Sequence, residues 1–330
     1  MTATKGILSA NTRMKMARNN FRGSKLKRLQ EINRARHIFS ITSAMLLLSI
    51  LSPASGHAVD NQKLHTFVSI LPQAYFVERI GGEYVDIEVM VAPGQSPETY
   101  APTPRQMSDL DHAEVYFAIG LPFENQLLRK IREIFRDLDI VGTQNGIALR
   151  AMESHGEVHE GHEHEAGASD PHVWLDPIAV KTISKNICDE LTKLDPAHQP
   201  YYEKNLTIFQ AELDSINAAI TGRLEPYKGR HIFVFHPVYG YFADRYGLEQ
   251  TAVEIEGKEP SAKQLASFID MARADSVTVI FVQPQFSTKT AETIASAIGG
   301  TVIKVDPLSR DYLNNLGNIA DRLAEGLGGK

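Results

Sequence analysis

Cysteine is nearly missing from this chain: of 330 residues only Cys188 carries a thiol, so no intrachain disulfide can form. Acids are nearly missing from its start: residues 1–58 hold ten Lys or Arg and only one acid, Glu31. A membrane-length apolar run is missing too. The run at 38–51, IFSITSAMLLLSIL, is too short to span a bilayer comfortably. Pro53 breaks it, and Gly56-His57-Ala58 places small residues where a signal peptidase would cut. Residues 1–58 therefore read as a secretory signal peptide cleaved near Ala58, with an uncleaved anchor as the alternative. The basic stretch is long for that purpose, so translation starting at Met14 or Met16 stays open. No cysteine follows the cut, which excludes lipid attachment there, and a soluble periplasmic protein is the simplest reading.

Base is scarce in what remains. Removing 1–58 takes ten of the 34 Lys and Arg and one of the 40 Asp and Glu, leaving 24 against 39. So acidic a surface argues against nucleic acid and against anionic membranes as partners. Hydrophobic content of 43% and charged content of 22% are ordinary for a globular chain of one large or two medium domains.

One stretch is unusually rich. His155, His159, His162 and His164 alternate with Glu157, Glu160, Glu163 and Glu165 at 154–166. With no apolar pattern it builds no core and reads as a loop. Imidazole and carboxylate suit borderline divalent metals, zinc above all. The bland reading is a solvated polar loop.

Elsewhere, strands and helices alternate. Strand patterns fall at 64–71, 86–92, 115–119 and 139–142, with helical patterns at 74–80, from about Pro104, and at 123–135. A helix at 180–194 precedes Pro196 and Pro200, which interrupt the pattern. The longest helical stripe is Leu206, Phe209, Leu213, Ile216, Ile220 and Leu224, within 201–224. Alternation then restarts, with strands at 231–235, 277–282 and 301–305 and helices at 239–246, 261–272, 288–298 and 312–327. The expectation is two α/β units with parallel sheets, joined by one long helix.

In open α/β sheets, ligands bind beyond the carboxyl ends of strands. Glu98, His172, His236 and Asp306 fall in such positions, two from each unit, so a site made by all four lies in the cleft between units. Two imidazoles and two carboxylates suffice for tetrahedral zinc, or for manganese at higher coordination. Each has a plainer role open to it: Asp306, before Pro307, as a turn former, a post-strand histidine as a turn or cap residue, Glu98 as surface. His112 reads as a helix C-terminal cap, and His65, His198 and His231 are left out.

PGQSPETYAPTPRQMSDL, DPHVWLDP, VFHPVYGYFADRYGL, IEGKEPS, VQPQFS and VDPL together closely resemble the periplasmic solute-binding proteins of zinc and manganese ABC transporters, the ZnuA-like or cluster A-I receptors. The resemblance spans residues 62–330. It implies two Rossmann-like lobes joined by a rigid helix, one metal between them, and delivery to a membrane permease served by a separate ATPase. The implied partition is an N-terminal lobe at 59–198, a linking helix at 199–226 and a C-terminal lobe at 227–330, with the chain a monomer.

The resemblance also implies the ligand set: His172 and His236 match family histidines, and Asp306 the carboxylate of the second lobe. One position departs. The family's first histidine sits in Pro-His-Asp-Tyr; here Pro97-Glu98-Thr99-Tyr100 puts a glutamate there. A carboxylate can still coordinate, but it makes the site harder, toward manganese. The histidine-rich loop, a feature of the zinc members, points back to zinc. Such a site loses affinity once acid protonates imidazole, below about pH 6.5. The expectation is a zinc-capture protein rather than an enzyme, with a manganese receptor as the alternative. A secreted metallohydrolase is disfavoured, since no His-Glu-x-x-His motif occurs and His159-Glu160 runs into Gly161-His162. A third reading is an adhesin or scavenger without a transporter.

Overall fold

The computed structural model describes residues 63–152, 169–253, 261–286 and 288–328. The expected signal peptide at 1–58, its cleavage near Ala58, and the loop histidines His155, His159, His162 and His164 lie outside the described residues. Residues Gln62–Lys330 form one compact unit.

Two four-stranded sheets organise it. The first holds β1 (Leu64–Val68), β2 (Val85–Val89), β3 (Val115–Ala118) and β4 (Asp139–Gly142) in the order β2-β1-β3-β4. The second holds β5 (His231–Val234), β6 (Glu249–Ala252), β7 (Val279–Val282) and β8 (Thr301–Lys304) in the order β6-β5-β7-β8. Every strand pair is parallel, so each half repeats one winding order. Parallel strands need crossovers, supplied in the first half by α1 (Leu71–Gly81), α2 (Pro104–Asp109) and α3 (Pro122–Ile134). In the second they are α6 (Gly240–Tyr246), α7 (Ala262–Ala274) and α8 (Thr288–Ile298). Between the sheets in sequence lie α4 (Pro177–Leu194) and α5 (Gln199–Leu224); α9 (Tyr312–Gly328) closes the chain.

Local chemistry sets the boundaries. The first strand stops at Val68, short of the expected 71, because Leu71-Pro72 opens α1. Gln73 holds that corner: its Oε1 accepts from Ser69 N at 3.0 Å and its Nε2 donates to Phe117 O at 3.0 Å. The helix ends at Gly82, where φ is +54° and a Cβ would run into the Tyr201 hydroxyl. Pro200 does not interrupt α5 but sits in its first turn, where its missing N–H has no helical partner to lose. Helix α4 starts at Pro177, earlier than expected, because Asp176 caps it by accepting from Ile178 N at 2.9 Å. Strand β6, EQTA, has no apolar alternation and was not expected; it is the edge strand, paired only to β5.

With 26 residues α5 is about 39 Å long at ~1.5 Å per residue. It packs against α1 and α4 of the first half and against α6 and α9 of the second. Its Tyr202, Phe209, Leu213, Ile220 and Leu224 are buried in one apolar cluster that also holds Phe117 from β3 and Val234 from β5. Polar clasps add to this. Trp174 Nε1 donates to Pro307 O at 2.9 Å, and the Tyr312 hydroxyl donates to Trp174 O at 2.7 Å. Arg245 grips Asp176 through two parallel hydrogen bonds of 2.9 and 2.6 Å, which raises the guanidinium pKa.

Because one apolar cluster holds residues of both sheets, the two halves are expected to unfold as one cooperative unit. Leu213→Ala, at a fully buried position, is expected to cost about 2–5 kcal/mol. Urea unfolding followed by Trp174 fluorescence and by far-ultraviolet circular dichroism should give coincident transitions in both proteins; separated transitions would mean the halves unfold independently.

Candidate metal centre

Three of the four expected ligands come together. Glu98 is carried by a 3-10 turn, Pro97–Thr99, opened by Ser96, whose Oγ accepts from Glu98 N at 3.3 Å. His172 caps a second 3-10 turn, Val173–Leu175, leading into α4. His236 follows β5. The Glu98 Oε1 lies 3.6 Å from His236 Nε2 and 4.0 Å from His172 Nε2. One ligand atom from each residue lies within 4.8 Å of the others. Zinc bound at ~2.0–2.2 Å by nitrogen and oxygen in a tetrahedron needs ligand atoms roughly 3.3–3.6 Å apart. The trio is therefore a few tenths of an ångström to about an ångström from ion-holding spacing.

The site is enclosed. Side-chain exposure is 15% for Glu98, 3% for His172 and 7% for His236. The cavity they line, with Trp174 and Phe286 among its walls, has a volume of about 20 Å³. That is room for about one water-sized sphere. The two imidazoles stand nearly perpendicular, 82° apart at 5.3 Å between centroids. His236 stacks on Phe286 at 5.1 Å, and His172 packs edge-on to Trp174 at 5.2 Å.

Asp306 is not in the group. Its Oδ1 accepts from Gln285 Nε2 at 3.0 Å and from Leu308 N at 2.9 Å, the second being the bond of a turn-forming aspartate. It lines a neighbouring cavity of about 220 Å³, and Gln285 borders both cavities. Nearby Tyr239 is fully buried, and burial first, then the Asp306 charge, drive its hydroxyl well above the usual phenol range. It stays a neutral donor, to Val305 O at 3.1 Å.

The histidines set aside in the sequence have other partners. His65 faces Asp86 at 3.6 Å, His198 bonds Asp195 at 2.6 Å and stacks on Tyr84, and His231 faces Glu249 at 3.1 Å. His112 ends a 3-10 turn, Leu110–His112, just after α2.

Two supporting residues escaped the sequence reading. Gln283, 1% exposed, clamps the His236 backbone, accepting from its N–H at 3.3 Å and donating to its carbonyl at 3.0 Å. Asp170, fully buried, accepts from His172 Nδ1 at 2.7 Å. The signal for Asp170 was its place two residues before His172 across Pro171, where an aspartate can reach a following N–H. Gln283 had no comparable signal, because its partner is 47 residues away.

Comparison with known proteins identifies the family. Residues 67–326 match the family model of ZnuA, described as zinc-uptake complex component A, periplasmic. The high-affinity zinc uptake system protein ZnuA of Bacillus subtilis (strain 168) is 29% identical over 279 residues, covering 79% of this chain and 85% of that protein. A crystal structure of ZnuA superposes with a TM-score of 0.75 at 40% identity, covering 80% of this chain and 99% of that one. A 138-173 deletion mutant of ZnuA with zinc bound gives 0.74 at 38% identity, covering 82% and 100%. The family model covers most of the chain, and the chain belongs to the ZnuA family.

Proposed function

We propose that this protein captures one Zn²⁺ between Glu98, His172 and His236 and releases it to an ABC-type membrane permease driven by a separate ATPase. The observation that carries the reading is the convergence of one carboxylate and two imidazole nitrogens within 4.8 Å, inside a cavity of about 20 Å³. Capture and release is the role in this reading, in keeping with relatives named as zinc uptake proteins. Zinc is favoured over manganese because two of the three ligands are imidazoles, and because relatives are named as zinc uptake proteins. Asp306 is the fourth ligand in this proposal, reaching the ion once Gln285 Nε2 gives it up. The histidines His155, His159, His162 and His164 collect zinc weakly and raise its supply to the centre. The place of work is the periplasm, reached through cleavage near Ala58, and the protein acts as a monomer.

Metal analysis of protein purified without added metal should give one tightly held zinc per chain. Competition with a chromophoric chelator should show His172→Ala and His236→Ala weakening it by more than the ~10–100-fold that loss of a supporting hydrogen bond costs. Manganese displacing zinc at equal concentration would reverse the choice of metal.

Deleting residues 154–166 should leave the tight site unchanged and lower only the number of weakly held zinc ions, both read by the same titration. Loss of tight one-to-one binding on that deletion would sink the division between centre and loop.

A further inference from the structure

Asp170 is the buried carboxylate at this centre to which the capture reading gives no task. Its Oδ1 takes two donors from one residue, the His172 backbone N–H at 2.9 Å and the ring Nδ1 at 2.7 Å. Its Oδ2 takes Arg150 Nη1 at 3.3 Å. An ionised carboxylate only accepts, so Nδ1–H is the donor in this bond; in the neutral imidazole that tautomer leaves the lone pair on Nε2, the atom that faces Glu98.

Arg150 reaches further. Its Nε lies 3.1 Å from Asp244 Oδ2 on α6, and its backbone N–H donates to the Tyr241 hydroxyl at 3.0 Å. That hydroxyl in turn donates to Asp170 O at 2.9 Å. An antiparallel bridge between Ala151 and Ser169, with Asp170 N donating to Arg150 O at 2.9 Å, holds residues 150 and 170 across from each other. The fit is tight: a Cβ at Gly240, the first residue of α6, would stand 2.8 Å from Asp170 Oδ2 and inside the Arg150 guanidinium. Helix α6 starts four residues after His236. One guanidinium thus ties the carboxylate behind His172 to the helix that follows His236.

We propose that Asp170 and Arg150 are positioning residues for the metal. Asp170 fixes the tautomer and ring direction of His172, and Arg150 balances the buried charge and locks it to α6. The Arg150 guanidinium is then one of the links that fix the two imidazoles, which come from different halves, relative to each other. Ligand histidines backed by a carboxylate lose affinity when that partner is removed, by ~10–100-fold.

This inference rests on the zinc-site reading, so the test separates the two. Asp170→Ala, Asp170→Asn, Arg150→Met and Arg245→Met would be made in the full chain. Each is assayed by chelator competition for zinc, by the visible spectrum of the cobalt(II) form and by melting of the metal-free protein. Asp170→Ala should weaken zinc ~10–100-fold and change the cobalt spectrum. Asp170→Asn, which keeps an acceptor for Nδ1, should recover most of the affinity, and Arg150→Met should shift both readouts in the same direction as Asp170→Ala. Arg245→Met breaks a different ion pair on α6 and should lower the melting temperature alone. Wild-type affinity and spectrum in Asp170→Ala would overturn the proposal. If that variant does not fold, wild-type values in Arg150→Met would overturn it equally, as would Arg245→Met weakening zinc as much as Arg150→Met. Absence of tight zinc in the unsubstituted protein would instead bring down the site reading itself.

Discussion

Three ligand atoms from residues 98, 172 and 236 must sit within a few ångströms of one another without a disulfide to hold them, and α5 is what permits it. The helix packs against α1 and α4 beside the first sheet and against α6 and α9 beside the second. Phe209, Leu213 and Ile220 on it belong to an apolar cluster that includes residues of both sheets. Sliding one half past the other would expose side chains that are now fully buried, at about 25 cal/mol for each Å² of apolar surface. The 3.6 and 4.0 Å separations at the centre are close to what zinc needs, so little movement is required to close on an ion.

Much of this was legible in the sequence, for reasons that differ by residue. The run HIFVF at 231–235 is short and largely apolar and His236 follows it directly, as Gln283 follows VIFV, so His236 announces itself as a strand-end group. Strand β6 was not legible because EQTA has one apolar residue, Ala252, and fills its other buried positions with Gln250 and Thr251, so no apolar pattern marks it. Asp306 was legible as a strand-end carboxylate, but its orientation was not. That depends on Gln285 Nε2 and Leu308 N, two donors that a one-dimensional pattern does not rank against a metal. Asp170 was visible beside His172, yet its second partner, Arg150, is 20 residues away and becomes a neighbour only through the Ala151–Ser169 bridge.

Glutamate at position 98 changes the charge of the centre as well as its hardness. A divalent ion among Glu98, His172 and His236 would meet one formal negative charge and two neutral imidazoles, leaving one positive charge inside a nearly closed cavity. An unbalanced buried charge is costly, and proteins answer it with a partner close by. Two carboxylates are placed to do so. Asp170 lies behind His172 but is already matched by Arg150, and Asp306 lies beyond Gln285 with only neutral donors on its Oδ1. If Asp306 is the fourth ligand, as proposed, it is the carboxylate that would compensate the ion's remaining charge. In that proposal Asp306 would exchange the neutral hydrogen bond from Gln285, worth about 0.5–1.5 kcal/mol net, for contact with a divalent cation.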